Sequence, residues 1–201
     1  ETIEKLIAPD RHNLVFVRHK SGPVYLWYEI VHPRLLRKTV DEYGQPGLDP
    51  SDVIVDEYGD MLWRLRSLYA LNNTVGSRVV CIGGPSGWGA GGQKAPEIAA
   101  KLWKMDLVTV TYDDLGARIK TARANPERVE RAEAEAAAYL KTPGTHLKTD
   151  AGFVSRAFLL TEVFEEVMAE ANAQAITVNH CMGTIMPLSE TTACLPLSLI
   201  N

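Results

Sequence analysis

The sequence has few cysteines and no long apolar run. Its 201 residues include only three cysteines, Cys81, Cys181 and Cys194, with no CxxC spacing. Free thiols in a reducing compartment are therefore expected rather than a disulfide framework. No apolar stretch approaches the roughly 20 residues that a transmembrane helix needs, and the opening ETIEKLIAPDR lacks the basic start and apolar core of a signal peptide. These absences predict a cytoplasmic protein with no membrane partner.

The sequence also lacks any block of five or more basic residues, and its formal net charge is −4. Proteins that bind nucleic acid usually present a basic face, so no nucleic-acid partner is expected. What the chain has instead is 46% hydrophobic and 23% charged residues, a composition typical of a globular protein. A chain of 201 residues is also long enough to bury a sizeable core.

Length and the two ends bear on domain organisation. We expect residues 1–201 to form a single α/β domain or part of a longer multidomain chain, with a possible sub-boundary near 142–150, where Thr142-Pro-Gly-Thr145 interrupts a helical pattern. The chain begins without an initiator Met and ends on LPLSLIN, an apolar turn of helix. We therefore expect a piece of a longer protein, with some active-site residues outside it.

Alternating strand and helix patterns predict an α/β fold, with a mainly parallel sheet flanked by helices in Rossmann-like layers. Strand patterns occupy residues 13–17, 78–82, 107–111 and 175–178, and the segment 53–55 is too short to assign. Helical patterns occupy residues 33–40, 61–71, 94–104, 112 onward, 126–141 and 151–171. Asp60 is the predicted cap of the second of these helices, and the Asp113-Asp114 pair that of the fourth.

Polar residues gather after the strand pattern 175–178. Asn179, His180 and Cys181 follow it directly, and Glu190 lies further on in the polar segment SETTAC. In open α/β sheets, ligands bind beyond the carboxyl ends of the strands. His180 and Cys181 are candidate soft metal ligands, or a core histidine beside a buried thiol. Glu190 is a candidate ligand for a hard divalent ion, or a base. Alternatively, Glu190 is a structural carboxylate that the dipole at a helix N-terminus stabilises.

A glycine-rich loop, GGPSGWGAGG at residues 83–92, joins a strand pattern to a helical one. Such loops can present backbone N–H groups to a phosphate, but this one matches neither GxGxxG nor GxxxxGK[ST]. A tight turn whose glycines allow close packing is the simpler interpretation. Trp88 in this loop could offer a stacking surface to a neighbouring site or subunit.

Several of these segments resemble the L-fucose isomerase and L-arabinose isomerase superfamily, particularly its L-fucose isomerase-like members. The resemblance covers roughly Arg78 to Asn201 and is carried by VVCIGGPSGWG, LVTVTYDDLGARI, FLLTEVFEEVMAEANAQAITVNHCMG and SETTACLPLSLIN. It implies α/β domains that assemble into homo-oligomers. It also implies a Mn²⁺-type ion, held by two acidic residues and a histidine, that serves an aldose–ketose interconversion. By resemblance, Glu190 is the first acidic ligand, and the other two ligands fall beyond Asn201.

Taken together, the residues and the resemblance predict a metal-dependent sugar isomerase. Glu190 is the predicted metal ligand and possible catalytic base, and Trp88, Asn179 and His180 are the predicted sugar-binding residues. Two other functions stay open. One is a non-catalytic α/β module that binds a sugar or an effector, and the other is a nucleotide-dependent transferase or dehydrogenase that uses the loop 83–92.

Overall fold

The fold is mixed α/β. The computed structural model describes residues 7, 10–18, 20, 49–87 and 91–200, and Trp88 and the predicted helix 33–40 lie outside these ranges. The chain divides into two compact units, Glu1–Asn72 and Asn73–Asn201. The segment 142–150, where a sub-boundary is predicted, lies within the second unit. Of the helices in the described ranges, none is both long and apolar enough to cross a membrane.

The first unit contains a small parallel sheet. Strand β1 (Val15–Val17) pairs with β2 (Val53–Val55), and a 3-10 turn at Pro50–Asp52 precedes β2. Helix α1 follows at Tyr58–Thr74, with Asp60 inside its first turn. The prediction that Asp60 caps this helix is therefore wrong, because the helix begins two residues earlier. The Asp60 carboxylate still lies in the first turn, where the positive end of the helix dipole favours a negative charge.

The second unit is built on a three-stranded parallel sheet in the order β4-β3-β5. Its strands are β3 (Arg78–Ile82), β4 (Asp106–Val110) and β5 (Ala175–Val178). The predicted parallel sheet is confirmed, and the predicted β4 is shifted by one residue. Ile82 pairs with the last residue of each neighbouring strand, so the three carboxyl ends lie at one edge. We call the residues directly after these ends (83, 111–112 and 179–180) the rim.

Two helices of the second unit begin directly after a polar residue whose side chain caps them. The Thr111 side chain accepts a hydrogen bond from the Asp114 amide and so caps a helix that was predicted to have aspartate caps. Asn125 caps the next one, with proline at its first position. The helices are α2 (Ala95–Leu102), α3 (Tyr112–Arg123), α4 (Pro126–Leu140), α5 (Ala151–Glu170), α6 (Met186–Ser189) and α7 (Cys194–Ile200).

The core lies on one face of the three-stranded sheet. Side chains alternate across a strand, and Val80 and Ile82 of β3 both face the core and are fully buried. They belong to one cluster with Leu115 of α3 and Phe164 of α5. On the opposite face, Cys81 lines a cavity of about 190 Å³ together with residues of α2. Helices α3 and α5 therefore cover the core face of the sheet.

Candidate functional site

The rim is held together by contacts among Gly83, Tyr112 and Asn179. Gly83 has a φ of 77°, and its amide donates to the carbonyl of Val110 at 2.8 Å. A Cβ at Gly83 would collide with the Tyr112 ring, so glycine is what allows the ring to cross here. The Tyr112 hydroxyl then donates to the carbonyl of Asn179 at 3.1 Å. These contacts set the backbone position at the end of β5.

Asn179 and His180 both lie at the rim, directly after β5. The Asn179 amide donates to the carbonyl of Ile82 at 2.9 Å, and its side chain is half-buried. His180 is exposed and has a φ of 48°, in the left-handed region. A non-glycine residue in this conformation costs about 1–3 kcal/mol and persists where its surroundings hold it. His180 precedes a π-helical turn at Cys181–Ile185, whose Thr184 amide donates to its carbonyl at 2.9 Å.

Two glycines of the loop after β3, Gly87 and Gly92, lie close together. A Cβ at Gly87 would lie 2.7 Å from the carbonyl oxygen of Gly92, and a Cβ at Gly92 would collide with the backbone of Gly87. This is the packing that the tight-turn interpretation predicts. Trp88 lies outside the described residues, so its predicted stacking role stays a prediction.

Glu190 lies on the turn between α6 and α7, after the π-helical turn has carried the chain away from the rim. Its φ is 50°, and its side chain is 61% exposed. The carboxylate Oε1 lies 2.9 Å from Nη1 of Arg123, in the last turn of α3. Helix α3 begins at the rim, and its last turn is about 16 Å further along at 1.5 Å per residue. Glu190 therefore does not come together with Asn179 and His180.

Two arginines hold the segment 189–192, which we call the Glu190 turn. Arg123 donates from Nη2 to the carbonyl of Ser189 at 2.7 Å, beside its ion pair with the Glu190 carboxylate. Arg156, near the start of α5, donates from Nε to the carbonyl of Glu190 at 2.9 Å. The turn is thus tied to the end of one helix and to the start of another.

Buried hydroxyls complete the anchoring of the Glu190 turn. Ser189 donates to the carbonyl of Ile185 at 2.7 Å, and Thr191 donates to the carbonyl of Phe153 at 2.8 Å. Both side chains are buried, so these hydrogen bonds satisfy groups that would otherwise be costly to bury. Glu190 is thus an exposed residue between two buried ones, on a backbone held from both sides.

A groove of about 300 Å³ lies beside this turn. It combines two guanidinium groups, a carboxylate and a hydroxyl with an apolar floor, and such a mixture suits a small polar ligand. The lining residues are Arg123, Val129, Ala132, Glu133, Gly152, Ser155, Arg156 and Leu159.

The predicted metal ion can be tested against these residues. Within the described ranges, no three or more His, Cys, Asp or Glu residues are grouped so that they could hold a metal. Carboxylates that ligate metals are commonly held by a hydrogen bond of their own, and Glu190 has such a bond, through Oε1, from Arg123. Glu190 would therefore offer its other carboxylate oxygen as one ligand, and the residues that the structure describes do not complete a group of three around it.

Comparison with known proteins adds no relative. No family model, no curated protein and no solved structure matches this chain.

Three residues of these sites were missed by sequence reasoning. For Tyr112 the sequence contains a recognisable signal. This aromatic residue comes shortly after β4, and the pair Gly83-Gly84 comes directly after the neighbouring strand β3. The sequence contains no such signal for Arg123 or Arg156. They lie on two different helices and reach the Glu190 turn only because those helices pack in the same unit.

Proposed function

We propose that this chain is part of a sugar isomerase that interconverts an aldose and a ketose with a divalent ion, Mn²⁺ by resemblance, in a cytoplasmic homo-oligomer. The observation that carries the proposal is the Glu190 turn. Its carboxylate stays exposed while its backbone and one of its oxygens are held by two arginines. A ligand or base must be held in place by its neighbours to act efficiently, and Glu190 meets that requirement.

The reaction moves a carbonyl group between C1 and C2 of an open-chain sugar. A base has to take a proton from carbon, and positive charge has to stabilise the enediolate oxygens. When bound, a divalent ion supplies that charge by polarising the two oxygens. Glu190 would hold the ion or accept the proton, and Arg123 would keep its carboxylate in one orientation.

The groove beside the Glu190 turn is the proposed position of the sugar. Guanidinium groups donate several hydrogen bonds, which suits a ligand rich in hydroxyl oxygens, and the Ser155 hydroxyl, which donates to the carbonyl of Ala151, adds an acceptor. Asn179 and His180 at the rim, together with Trp88, remain candidate sugar contacts. Asn179 and His180 would act at a second region, because the length of α3 separates the rim from Glu190.

The proposal is tested by assaying the full-length protein for conversion of aldoses to ketoses with added Mn²⁺. Glu190→Gln keeps the shape of the side chain and removes its charge, so we expect it to weaken Mn²⁺ binding and to lower activity by about 100-fold or more. Glu130→Gln, at an exposed position on α4, is the matched control and should behave as the parent. If Glu190→Gln binds Mn²⁺ as tightly as the parent, Glu190 is not a metal ligand.

A non-catalytic module that binds a sugar or an effector is the second candidate. It is favoured by the ion pair between Glu190 and Arg123, because a guanidinium next to the carboxylate repels a cation. Titration calorimetry with a panel of monosaccharides, with and without a chelator, separates the two candidates. Binding that survives chelation with no turnover supports the module, whereas binding that is lost on chelation supports the isomerase.

A further inference from the structure

Among the described residues of the second unit, Arg156 is an arginine that pairs with no carboxylate. Through Nε it donates to the carbonyl of Glu190 at 2.9 Å, and its Nη1 and Nη2 atoms have no hydrogen-bond partner in the part of the chain that the structure describes. Each of the other arginines of this unit forms an ion pair with an aspartate or a glutamate; they are Arg78, Arg118, Arg123, Arg128 and Arg131. The outer end of the Arg156 guanidinium, which we call the Nη edge, can therefore bind a ligand.

Two contacts and a glycine keep the Arg156 guanidinium in place. Besides the Nε bond, its central carbon lies over the Phe153 ring, 5.0 Å from the ring centroid, where the ring attracts a positive charge. A Cβ at Gly152 would lie 3.1 Å from Nη1, so glycine leaves the space that the guanidinium needs. Glycine weakens a helix relative to alanine, yet it is the second residue of α5. The Nη edge is therefore held in position before a ligand arrives, which lowers the entropy cost of binding.

Arg156 and Arg123 both line the groove beside the Glu190 turn. Arg123 bonds the Glu190 carboxylate through Nη1 at 2.9 Å and so offsets the negative charge of Glu190. Arg156 bonds the carbonyl of the same residue, so the two guanidinium groups lie in the same part of the groove. The positive charge of Arg156 is therefore not cancelled by Glu190.

Two further carboxylates of this region also leave the charge of Arg156 without a direct partner. Asp150 caps α5 and accepts a hydrogen bond from the Gly152 amide at 2.7 Å. Glu133 is exposed, lines the groove from α4 and forms no hydrogen bond or ion pair with the residues that the structure describes. Carboxylate and phosphate groups each present two oxygens that match the planar end of a guanidinium. The Nη edge therefore suits such an anion better than a single hydroxyl group.

We propose that the sugar bound in this groove carries an anionic group, a phosphate or a carboxylate, and that the Nη edge of Arg156 binds it through two parallel hydrogen bonds. The inference rests on the proposed function, since it names the class of sugar that the same site takes. An anion bound at Arg156 fixes one end of the sugar next to the Glu190 turn, and fixing a substrate beside a catalytic group lowers the entropic part of the barrier. Arg156 is thus the residue that selects the substrate.

Titration calorimetry with three open-chain ligands tests the proposal. Sorbitol, sorbitol 6-phosphate and gluconate lack the carbonyl that an aldose–ketose isomerase moves, so they stay unconverted when Mn²⁺ is present. We expect the full-length protein to bind sorbitol 6-phosphate or gluconate at least about tenfold more tightly than sorbitol, because a charged bidentate pair is stronger than a neutral hydrogen bond. The ligand that shows the preference identifies the anionic group as phosphate or carboxylate.

Variants of the groove attribute the preference to Arg156. Arg156→Met should bring the dissociation constants of the three ligands to within about twofold of one another, whereas Arg131→Met, exposed on α4 and outside this groove, is the matched control and should keep the preference. Because the Glu190 carbonyl loses a donor in Arg156→Met, a second variant leaves the turn untouched. Glu133→Gln removes a negative charge from the groove and should tighten anion binding about two- to fivefold, with Glu130→Gln as its control.

Equal affinity for the three ligands overturns the proposal, as does an anion preference that survives in Arg156→Met or anion binding that weakens in Glu133→Gln. Assays of aldose conversion judge the proposed function separately. Turnover of neutral aldoses that depends on Glu190, without an anion preference, supports the isomerase and overturns the anionic substrate. An anion preference that depends on Arg156, without turnover of any aldose, supports the anion site and overturns the isomerase.

Discussion

Arg123 bonds the Glu190 turn twice, through the Glu190 carboxylate at 2.9 Å and through the carbonyl of Ser189 at 2.7 Å. The two bonds differ in their surroundings. The Glu190 side chain is 61% exposed, and exposed ion pairs contribute little to stability. The bond to the carbonyl is partly buried, and a charged donor to a buried acceptor contributes more. The Arg123 guanidinium therefore stabilises the Glu190 turn mainly through its bond to the Ser189 carbonyl, which belongs to the backbone of the turn.

Replacing the two side chains should separate these contributions. We expect Arg123→Met to lower the free energy of unfolding by about 1–3 kcal/mol, because the Ser189 carbonyl loses its donor. Glu190→Gln should cost at most about 1 kcal/mol. Urea denaturation measures both values, and Lys120→Met, in the same last turn of α3, controls for the loss of a positive charge. Equal costs for the two variants would show that the ion pair, rather than the backbone bond, holds the turn.

The contact of Gly83 with Tyr112 gives a second prediction. Gly83 and Gly84 both have positive φ, but a Cβ would collide with Tyr112 only at Gly83, and at Gly84 it would meet nothing within 4 Å. Gly84→Ala should therefore cost about 1 kcal/mol of backbone strain, and Gly83→Ala clearly more. Unfolding of Gly83→Ala in a Tyr112→Ala background is the decisive measurement. If removing the ring relieves none of the extra cost, the collision is not its cause.

Stability should depend on pH through Glu170. The hydrogen bond and charge of Arg118 hold the pKa of Glu170 below its ordinary value of 4.5. A carboxyl group whose pKa is lower in the folded state stabilises the fold above its unfolded pKa, and that contribution is lost as the pH falls through the folded pKa. The stability difference between the parent and Glu170→Gln should thus be constant near neutral pH and shrink below about pH 4.5. Thermal melts across this range measure it, with Glu165→Gln on the same helix as the control. A difference that does not change with pH would contradict the assignment.

The thiols of Cys81 and Cys194 should differ in reactivity. Cys81 is buried in β3, and burial raises the pKa of its thiol, whereas Cys194 is exposed. Because the thiolate is the reactive form, Ellman's reagent should label Cys194 in the native protein and Cys81 only after unfolding. Cys194→Ser should remove the fast phase, and mass spectrometry of the labelled peptides identifies the sites. Rapid native labelling of Cys81 would mean that the sheet face covered by α2 opens in solution.

Local sequence determined most elements of the second unit. The β-branched runs at β3, β4 and β5 predict strands wherever they occur, and Asn125 followed by proline marks a helix start by itself. The wrong predictions concern helix caps, because several neighbouring residues can each occupy the capping position. Asp113 and Asp114 were predicted as caps, but Thr111 has the extended backbone that a cap requires. Such competition depends on where the preceding strand ends, and strand ends are the least certain part of a sequence pattern.

The tertiary structure alone decided which polar groups meet. From the sequence by itself it follows that Asn179 and His180 come directly after a strand of a parallel sheet, because strand propensity and chain order are local properties. The same sequence says nothing of Arg123 and Arg156 converging on one turn, since that contact requires α3 and α5 to pack over Val80 and Ile82. It also does not reveal that Glu190 lies apart from the rim. A π-helical turn and a short helix carry the chain along α3 before Glu190 is reached, and only the packed fold determines that path.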